Sequence, residues 1–284
     1  MTKAFCPGHI TCFFSPAVSN DVFTSGSLGA GIRLDKGATV TLEERSDPRT
    51  EITMDGEACD APVTRRVIEI MAPGRGFDVT VENELHVSQG FGMSAAGAVA
   101  AGLCISSVTG ADEFDAYRAA HTAELQMGGG MGDVAGIMGG RQPVRVKAGI
   151  PPFGRVVDTG IELKMSVAVL GPPLRTGSVL GDISTMSVIR QAGESCVKEY
   201  MNDHSEDSLY RTSSSFSEQI GLETADVKRA LSLLREHDRA SMCMLGNSIF
   251  TDAGKDVLQE ILGNDAEATE CVSSADGPRI IRKA

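Results

Sequence analysis

At 284 residues, 42% hydrophobic and 23% charged, the chain carries enough apolar side chains for a packed core and too many for a disordered segment. Its formal charge of −12 excludes a surface built to neutralise a nucleic-acid backbone, although a local site can oppose that field and hold a small polyanion. No apolar run reaches the roughly 18 residues of a spanning helix, and MTKAFCPGH lacks the charged-then-apolar plan of a secretory signal, so a cytosolic setting without membrane or nucleic-acid partners is expected.

Residues 1–88 read mainly as strands and turns: ATVTLEE and FDVTVENELHV alternate in the β-branched manner, and LDKGA and APGRG carry turn residues. A compact helix is expected over 94–109, stopped by Gly110. Asp112 then reads as the N-cap of a second helix running to about Met127, with Glu113 in its first turn. GGGMGD breaks that helix, DVAGIMGG adds a short one, and PVRVKA and GRVVDT read as strands. Near residue 163 the texture changes. LKMSVAVLG is an alternating strand that opens a fresh sheet, and apolar positions three and four apart mark helices over 177–201, 223–236 and 253–262. The tail ATECVSSADGPRIIRK reads as two short strands around an Asp-Gly turn. The expected fold class is α+β, in two domains, 1–162 and 163–284, sharing a broad interface.

Seven cysteines form no CxxC pair. Cys6 and Cys12 bracket His9, a conceivable metal spacing, but reduced half-buried thiols are the better reading.

Two stretches carry chemistry. In GFGMSAAGAVAAG, residues 90–102, Gly90 and Gly92 permit unusual backbone angles and leave no Cβ against a ligand. The loop runs straight into a helix whose first N–H groups lack partners and whose dipole favours negative charge, which suits phosphate. Ser94 sits where its hydroxyl could ligate a Mg²⁺ carried by those phosphates. A tight turn before a small-residue packing helix explains the pattern as well. Neither a GxxxxGK(S/T) loop nor a dinucleotide fingerprint is present. In HTAELQMGGGMGD, residues 121–133, His121 and Glu124 share a helix face, and Asp133 follows across a glycine loop. Mg²⁺-dependent phosphoryl transfer needs such a hard oxygen ligand and such a base. Taken singly, Glu124 reads as a solvated helix residue and Asp133 as a helix cap.

QGFGMSAAGA resembles the P-x-x-x-G-(L/M)-x-S-(S/A)-A signature of the GHMP kinases, the superfamily of galactokinase, homoserine kinase and mevalonate kinase. CPGHIT is similar to their first motif. PGHITCFF, GSLGAGIRLDKGATVT and MGDVAGIMGG are closer still to the archaeal pantoate kinase branch, and the resemblance runs through nearly all of the first 180 residues. It implies a ribosomal S5 domain 2-like N-terminal domain, a ferredoxin-like C-terminal domain, the cofactors ATP and Mg²⁺, and pantoate as a small-molecule acceptor in coenzyme A synthesis. By the same resemblance Gly90, Phe91, Gly92, Met93, Ser94 and Ala95 fall on the nucleotide-phosphate loop, Ser94 and Glu124 on the metal ligands, and Asp133 on the base. His9 stands where mevalonate kinase has a lysine, which leaves open whether a cation assists the acceptor hydroxyl.

The pattern also departs from the family. The signature's proline is missing, Met93 replaces a small residue, and no GxGGG motif occurs near the C-terminus, where MCMLGNSIF, residues 242–250, is the nearest candidate. For an acceptor bearing a carboxylate and hydroxyls, Arg145 could supply a bidentate guanidinium, with His121, Ser27 and Thr176 as further contacts and Arg175 the less favoured cation. Two other readings stay open: a kinase of homoserine or mevalonate, and a nucleotide-binding regulator without catalysis. A homodimer is the base-rate assembly.

Overall fold

Two strands form the spine. β1 (Thr2–Ala17) and β2 (Gly26–Glu44) pair antiparallel along nearly their whole length, with bulges at Pro7/His9 and Thr11/Phe13. The computed structural model describes residues 1–174, 183–263 and 267–283. β2 continues to β5 (Phe77–Asn83), whose Phe77, Val79 and Val81 are buried while Asp78, Thr80 and Glu82 face solvent. β5 runs parallel to β3 (Glu51–Met54), which turns into β4 (Glu57–Ala58). On the other side β2 meets β6 (Pro143–Lys147), which pairs β7 (Arg155–Asp158).

Helices α1 (Pro62–Met71), α2 (Met93–Thr109) and α3 (Glu113–Gln126) cover one face of this sheet, and the short α4 (Asp133–Met138) sits against β1, β2 and β6. Every residue from Ala95 to Ser106 is buried, as befits a small-residue helix that is apolar all round. Asp112 caps α3 through a bond from the Phe114 N–H at 2.8 Å. The helix α1 was not expected in a region read as strands and turns. Its signals are a proline at the first turn and buried Val63, Thr64, Val67 and Ile68 at helical spacing.

The second sheet is built from β8 (Lys164–Val169), β9 (Ala240–Met242), β10 (Ser248–Thr251) and β11 (Glu267–Val272), all antiparallel, in the order β11-β8-β10-β9. Counted along the chain that order is 4-1-3-2, the ferredoxin-like arrangement. Between β8 and β9 lie α5 (Ile183–Tyr200), α6 (Glu206–Ile220) and α7 (Ala225–Leu234); α8 (Lys255–Leu262) joins β10 to β11. Helix α6 falls within the helical region expected up to about residue 262 but is not singled out there, because its serines dilute the apolar stripe; Ser205 caps it through the Ser208 N–H and Gly221 ends it in a left-handed conformation.

The far end of the chain differs from the expected hairpin. β12 (Arg279–Arg282) pairs β1 of the first sheet, not β11. The buried Arg33 holds the crossing segment through the carbonyls of Ser274 and Ala275, and also takes that of Ile137. We propose the division at 162/163 with this return strand assigned to the first domain.

The two units share one continuous core. α5 and α6 pack on the face of β1 opposite α2, with the rings of Phe13 and Tyr200, and of Phe14 and Phe216, edge to face at 5.7 Å. β1 is thus covered on both faces, and the residues at its middle are aimed at the junction of the domains. Among the described residues no helix is long and apolar enough to cross a membrane.

Candidate active site

The loop Ser88–Gly92 and the start of α2 form one wall of a cleft of about 710 Å³. Gly90 (φ 79°) and Gly92 (φ 65°) are left-handed, and a Cβ at either would press within 3 Å of the backbone of Cys243 or His9. Gly92 offers no side chain to cap α2, so the first N–H groups of the helix stay available to an anion, as its dipole favours. Gly90, Gly92, Met93, Ser94 and Ala95 line the cleft as expected. Phe91 does not: its side chain is only 1% exposed and packs in the shared core, and its carbonyl accepts the His9 N–H at 2.9 Å. It anchors the loop to β1 and presents no ring to a ligand.

Opposite the loop, the Ser94 hydroxyl donates to Glu124 Oε1 at 2.7 Å, and the Gly130 N–H donates to Oε2 at 2.5 Å. Burial, and then the charge of Asp133, push Glu124 up to about 7 against these two bonds. Asp133 opens α4 after Gly132, which holds the cap position, and keeps 22% of its side-chain exposure. Its Oδ1 accepts from His9 Nδ1 at 2.9 Å and from the Thr11 hydroxyl at 3.3 Å. Burial alone would raise Asp133; the His9 hydrogen bond and the nearby Arg145 charge outweigh it and hold the carboxyl below the ordinary range. Two neighbouring carboxylates are therefore pushed apart, one ready to release a proton only near neutrality and one ionised throughout.

The Glu124 shift has a measurable consequence. The folded protein binds a proton there that the unfolded chain, at an ordinary 4.5, gives up. That stabilisation is fully present below 4.5 and is lost as pH rises through about 7. The metal-free protein should lose about 2 kcal/mol between pH 5 and pH 8 on this account. Thermal unfolding of wild type against Glu124→Gln isolates the contribution, which the glutamine variant should lack.

Beyond Asp133 the cleft ends at Ser27, 3% exposed on β2, and at Gly132. Immediately behind them lies Arg145, on β6 opposite Gly29 and 1% exposed. A Cβ at residue 132 would meet Ser27 Oγ at 2.5 Å and Arg145 Nε at 2.6 Å, so the guanidinium backs directly on the cleft wall. None of its three nitrogens has a hydrogen-bond partner among the described residues.

Two expected acceptor contacts are placed elsewhere, and a third is not among the described residues. His9 is fully buried behind Asp133 and lines no part of the cleft. His121 spends its Nε2–H on the carbonyls of Val22 and Ser25, at 3.0 and 3.1 Å, and so fixes the turn leading into Ser27. Thr176, with Arg175, lies outside the described residues.

Sequence reasoning missed Thr11, whose hydroxyl shares Asp133, and Gln89, which joins three segments. Gln89 Oε1 accepts the Asn247 N–H at 3.0 Å, its Nε2 donates to Gly171 O at 2.8 Å, and its carbonyl accepts the Ser248 hydroxyl at 2.5 Å. The turn Cys243–Asn247 thereby seats on the Ser88–Gly92 loop, and Met244 and Leu245 enter the cleft wall. The one-glycine stretch MCMLGNSIF thus reaches that loop by packing, without a glycine cradle of its own. Gln89→Leu should weaken binding of a phosphate-bearing ligand at this loop about tenfold, because it leaves the Asn247 N–H unpaired and loosens the loop. Calorimetric titration of both proteins with a nucleotide checks this.

A family model described as the GHMP kinases N terminal domain matches residues 62–141. The pantoate kinase of Thermococcus kodakarensis is 32% identical over 269 residues, covering 88% of this chain and 87% of that protein. The pantoate kinase of Methanospirillum hungatei is 28% identical, covering 98% of this chain and 96% of its own. Among solved structures, a phosphotransferase related to the CoA biosynthesis pathway superposes with a TM-score of 0.88 at 26% identity, covering 98% of each chain. The mevalonate kinase of Methanococcus jannaschii shares the fold, with a TM-score of 0.67 at 11% identity over 96% of this chain and 98% of that one. The chain belongs to the GHMP kinases, in their pantoate kinase branch.

Proposed function

We propose that the protein transfers the γ-phosphoryl group of ATP to the primary hydroxyl of pantoate, giving 4-phosphopantoate and ADP for coenzyme A synthesis. One observation carries the reading. The ionised Asp133 shares the cleft lining with Ser94 and Glu124 at a phosphate-ready helix start, and the Arg145 cation, unpaired among the described residues, lies directly behind the lining at Gly132. A kinase for a hydroxy acid needs those three things together: an anion cradle, a base, and a cation for the acceptor's carboxylate.

Mg²⁺ fits the site. Ser94 and Glu124 present two hard oxygens at hydrogen-bond distance from each other, and burial disfavours the charged form of Glu124, which a bound cation would restore. When bound, the ion would neutralise charge on the phosphates. The chain's own groups do the rest. The helix start and loop hold the phosphates, Arg145 and Ser27 orient the acceptor, and Asp133 takes the hydroxyl proton as that oxygen bonds to phosphorus and the bond to the β-phosphate oxygen breaks. Such transition states are loose, so positioning and charge supply most of the rate. A cytosolic homodimer belongs to the same proposal, supported by seven unpaired cysteines and by the commonness of dimers among such enzymes.

The test is ADP release by purified protein with Mg·ATP and pantoate, mevalonate, homoserine or shikimate in parallel. Turnover with pantoate alone is expected. Turnover with another acceptor instead would keep the kinase and overturn the substrate, and ATP binding without turnover would favour a regulator.

A further inference from the structure

We propose that His9 is a positioning residue for Asp133. As a neutral ring protonated on Nδ1 it holds Oδ1 of the carboxylate and leaves Oδ2 as the oxygen that receives the acceptor's proton. The second half of this inference rests on the kinase reading above; the first half does not.

The ring's surroundings fix its protonation. Nδ1 lies 2.9 Å from a carboxylate oxygen, so the proton must be on Nδ1 for the contact to be attractive. Nε2 is buried and has no partner among the described residues. A Cβ at Gly31 would come within 2.1 Å of Nε2 and one at Gly136 within 2.4 Å, so the ring fills a slot between two backbones. A second proton on Nε2 would be a donor with nothing to receive it. Complete burial, together with the cations Arg145 and Arg33, also disfavours a charged ring and outweighs the pull of Asp133. His9 is therefore a hydrogen-bond donor and not the cation that a lysine at this place in the motif would provide. The positive charge beside Asp133 comes from Arg145.

The two carboxylate oxygens are thereby made unequal. Oδ1 takes two donors, His9 Nδ1 and the Thr11 hydroxyl. Oδ2 points the other way: a Cβ at Gly130 would lie 2.2 Å from it, and Gly130 lines the cleft. Without His9 the carboxylate could rotate and offer the acceptor either oxygen in many poses. The slot ties β1, β2 and α4 to a single orientation of the base, which is what a proton transfer with a short reach requires.

The experiment has two arms. Long-range ¹H–¹⁵N correlation of the full-length wild-type protein labelled in histidine, without substrate or metal, should show His9 as the neutral Nδ1–H tautomer throughout the range of about pH 6 to 8. A charged ring or the Nε2–H tautomer there would overturn the proposal. In the kinetic arm, His9→Leu should lower kcat roughly 10- to 100-fold while KM for ATP moves less than about twofold. His9→Asn, whose amide can donate from near the Nδ1 position, should recover kcat to within about fivefold of wild type. Equal losses in the two variants, or a kcat that falls only in proportion to the folded fraction, would make His9 a packing residue and overturn it. If His9→Leu does not fold, Thr11→Val removes the other donor on Oδ1 and should lower kcat by a smaller factor without raising KM for ATP; no change there would also count against the arrangement. Should no acceptor support turnover even in wild type, the spectroscopic arm still decides the tautomer, and the kinase reading alone falls.

Discussion

Asp133→Asn is expected to lower kcat by about three orders of magnitude while leaving ATP affinity within about twofold. The substitution is close to isosteric. Asparagine's carbonyl oxygen can keep both bonds that Oδ1 now receives from His9 and Thr11, so the slot and α4 stay in place. What changes is the group facing the cleft, where an acceptor oxygen becomes an NH₂ donor that cannot take a proton. Calorimetric titration with ATP and ADP release with saturating pantoate separate the two effects. A variant that turns over at more than a tenth of the wild-type rate would exclude Asp133 as the base. The same variant tests the electrostatics. The Asp133 charge is one of the causes that raise Glu124, second to burial, so its removal should lower Glu124 and flatten the loss of stability between acid and neutral pH.

The parts of this site that lie within one sequence segment were legible before any coordinates. The glycines at 90 and 92 and Ser94 at the head of a small-residue helix follow from local rules; Glu124, which local rules alone leave as a solvated helix residue, is buried and joined directly to Ser94. The 4-1-3-2 sheet agrees with the ferredoxin-like domain that the family resemblance implies; alternation and stripes alone marked only a fresh α+β unit near residue 163. Contacts between distant segments were not legible. His9 and Asp133 are 124 residues apart, and their pairing depends on two glycines, Gly31 and Gly136, that local patterns mark only as turn or helix residues. The place of His9 in the motif left open whether a cation stands there: complete burial, which no single segment reveals, is what disfavours the charged ring. The same holds for MCMLGNSIF. As a motif it looks deficient, yet Gln89 and Ser248 seat its turn on the Ser88–Gly92 loop through bonds spanning 158 and 159 residues. The tail misled for a related reason. Its Asp-Gly turn is a sound hairpin signal, but the free edge of β1 competes for β12 and wins.

The second large effect concerns Arg145, where stability and function should move in opposite directions. A fully buried guanidinium whose three nitrogens have no partner among the described residues is costly to keep, and Asp133 only partly compensates its charge. An apolar side chain of similar length removes that cost. Arg145→Met should therefore leave the unfolding temperature of the ligand-free protein unchanged or higher. It should also lower kcat/KM for pantoate by about 10²- to 10³-fold, the penalty for leaving a bound carboxylate without its cation, with little change in KM for ATP. A loss of several degrees with pantoate kinetics intact would instead assign Arg145 to the fold. The wild-type protein offers an independent check, because a carboxylate ligand supplies the partner the guanidinium lacks. Pantoate should raise the unfolding temperature by more than the corresponding uncharged amide at equal concentration, by an amount set by the ratio of ligand concentration to Kd. In Arg145→Met the difference between acid and amide should vanish. On this proposal the guanidinium, unpartnered among the described residues, is half of an ion pair whose other half is the substrate, and the stability and kinetics of Arg145→Met decide whether it is kept at a cost in stability to select an acid over an alcohol.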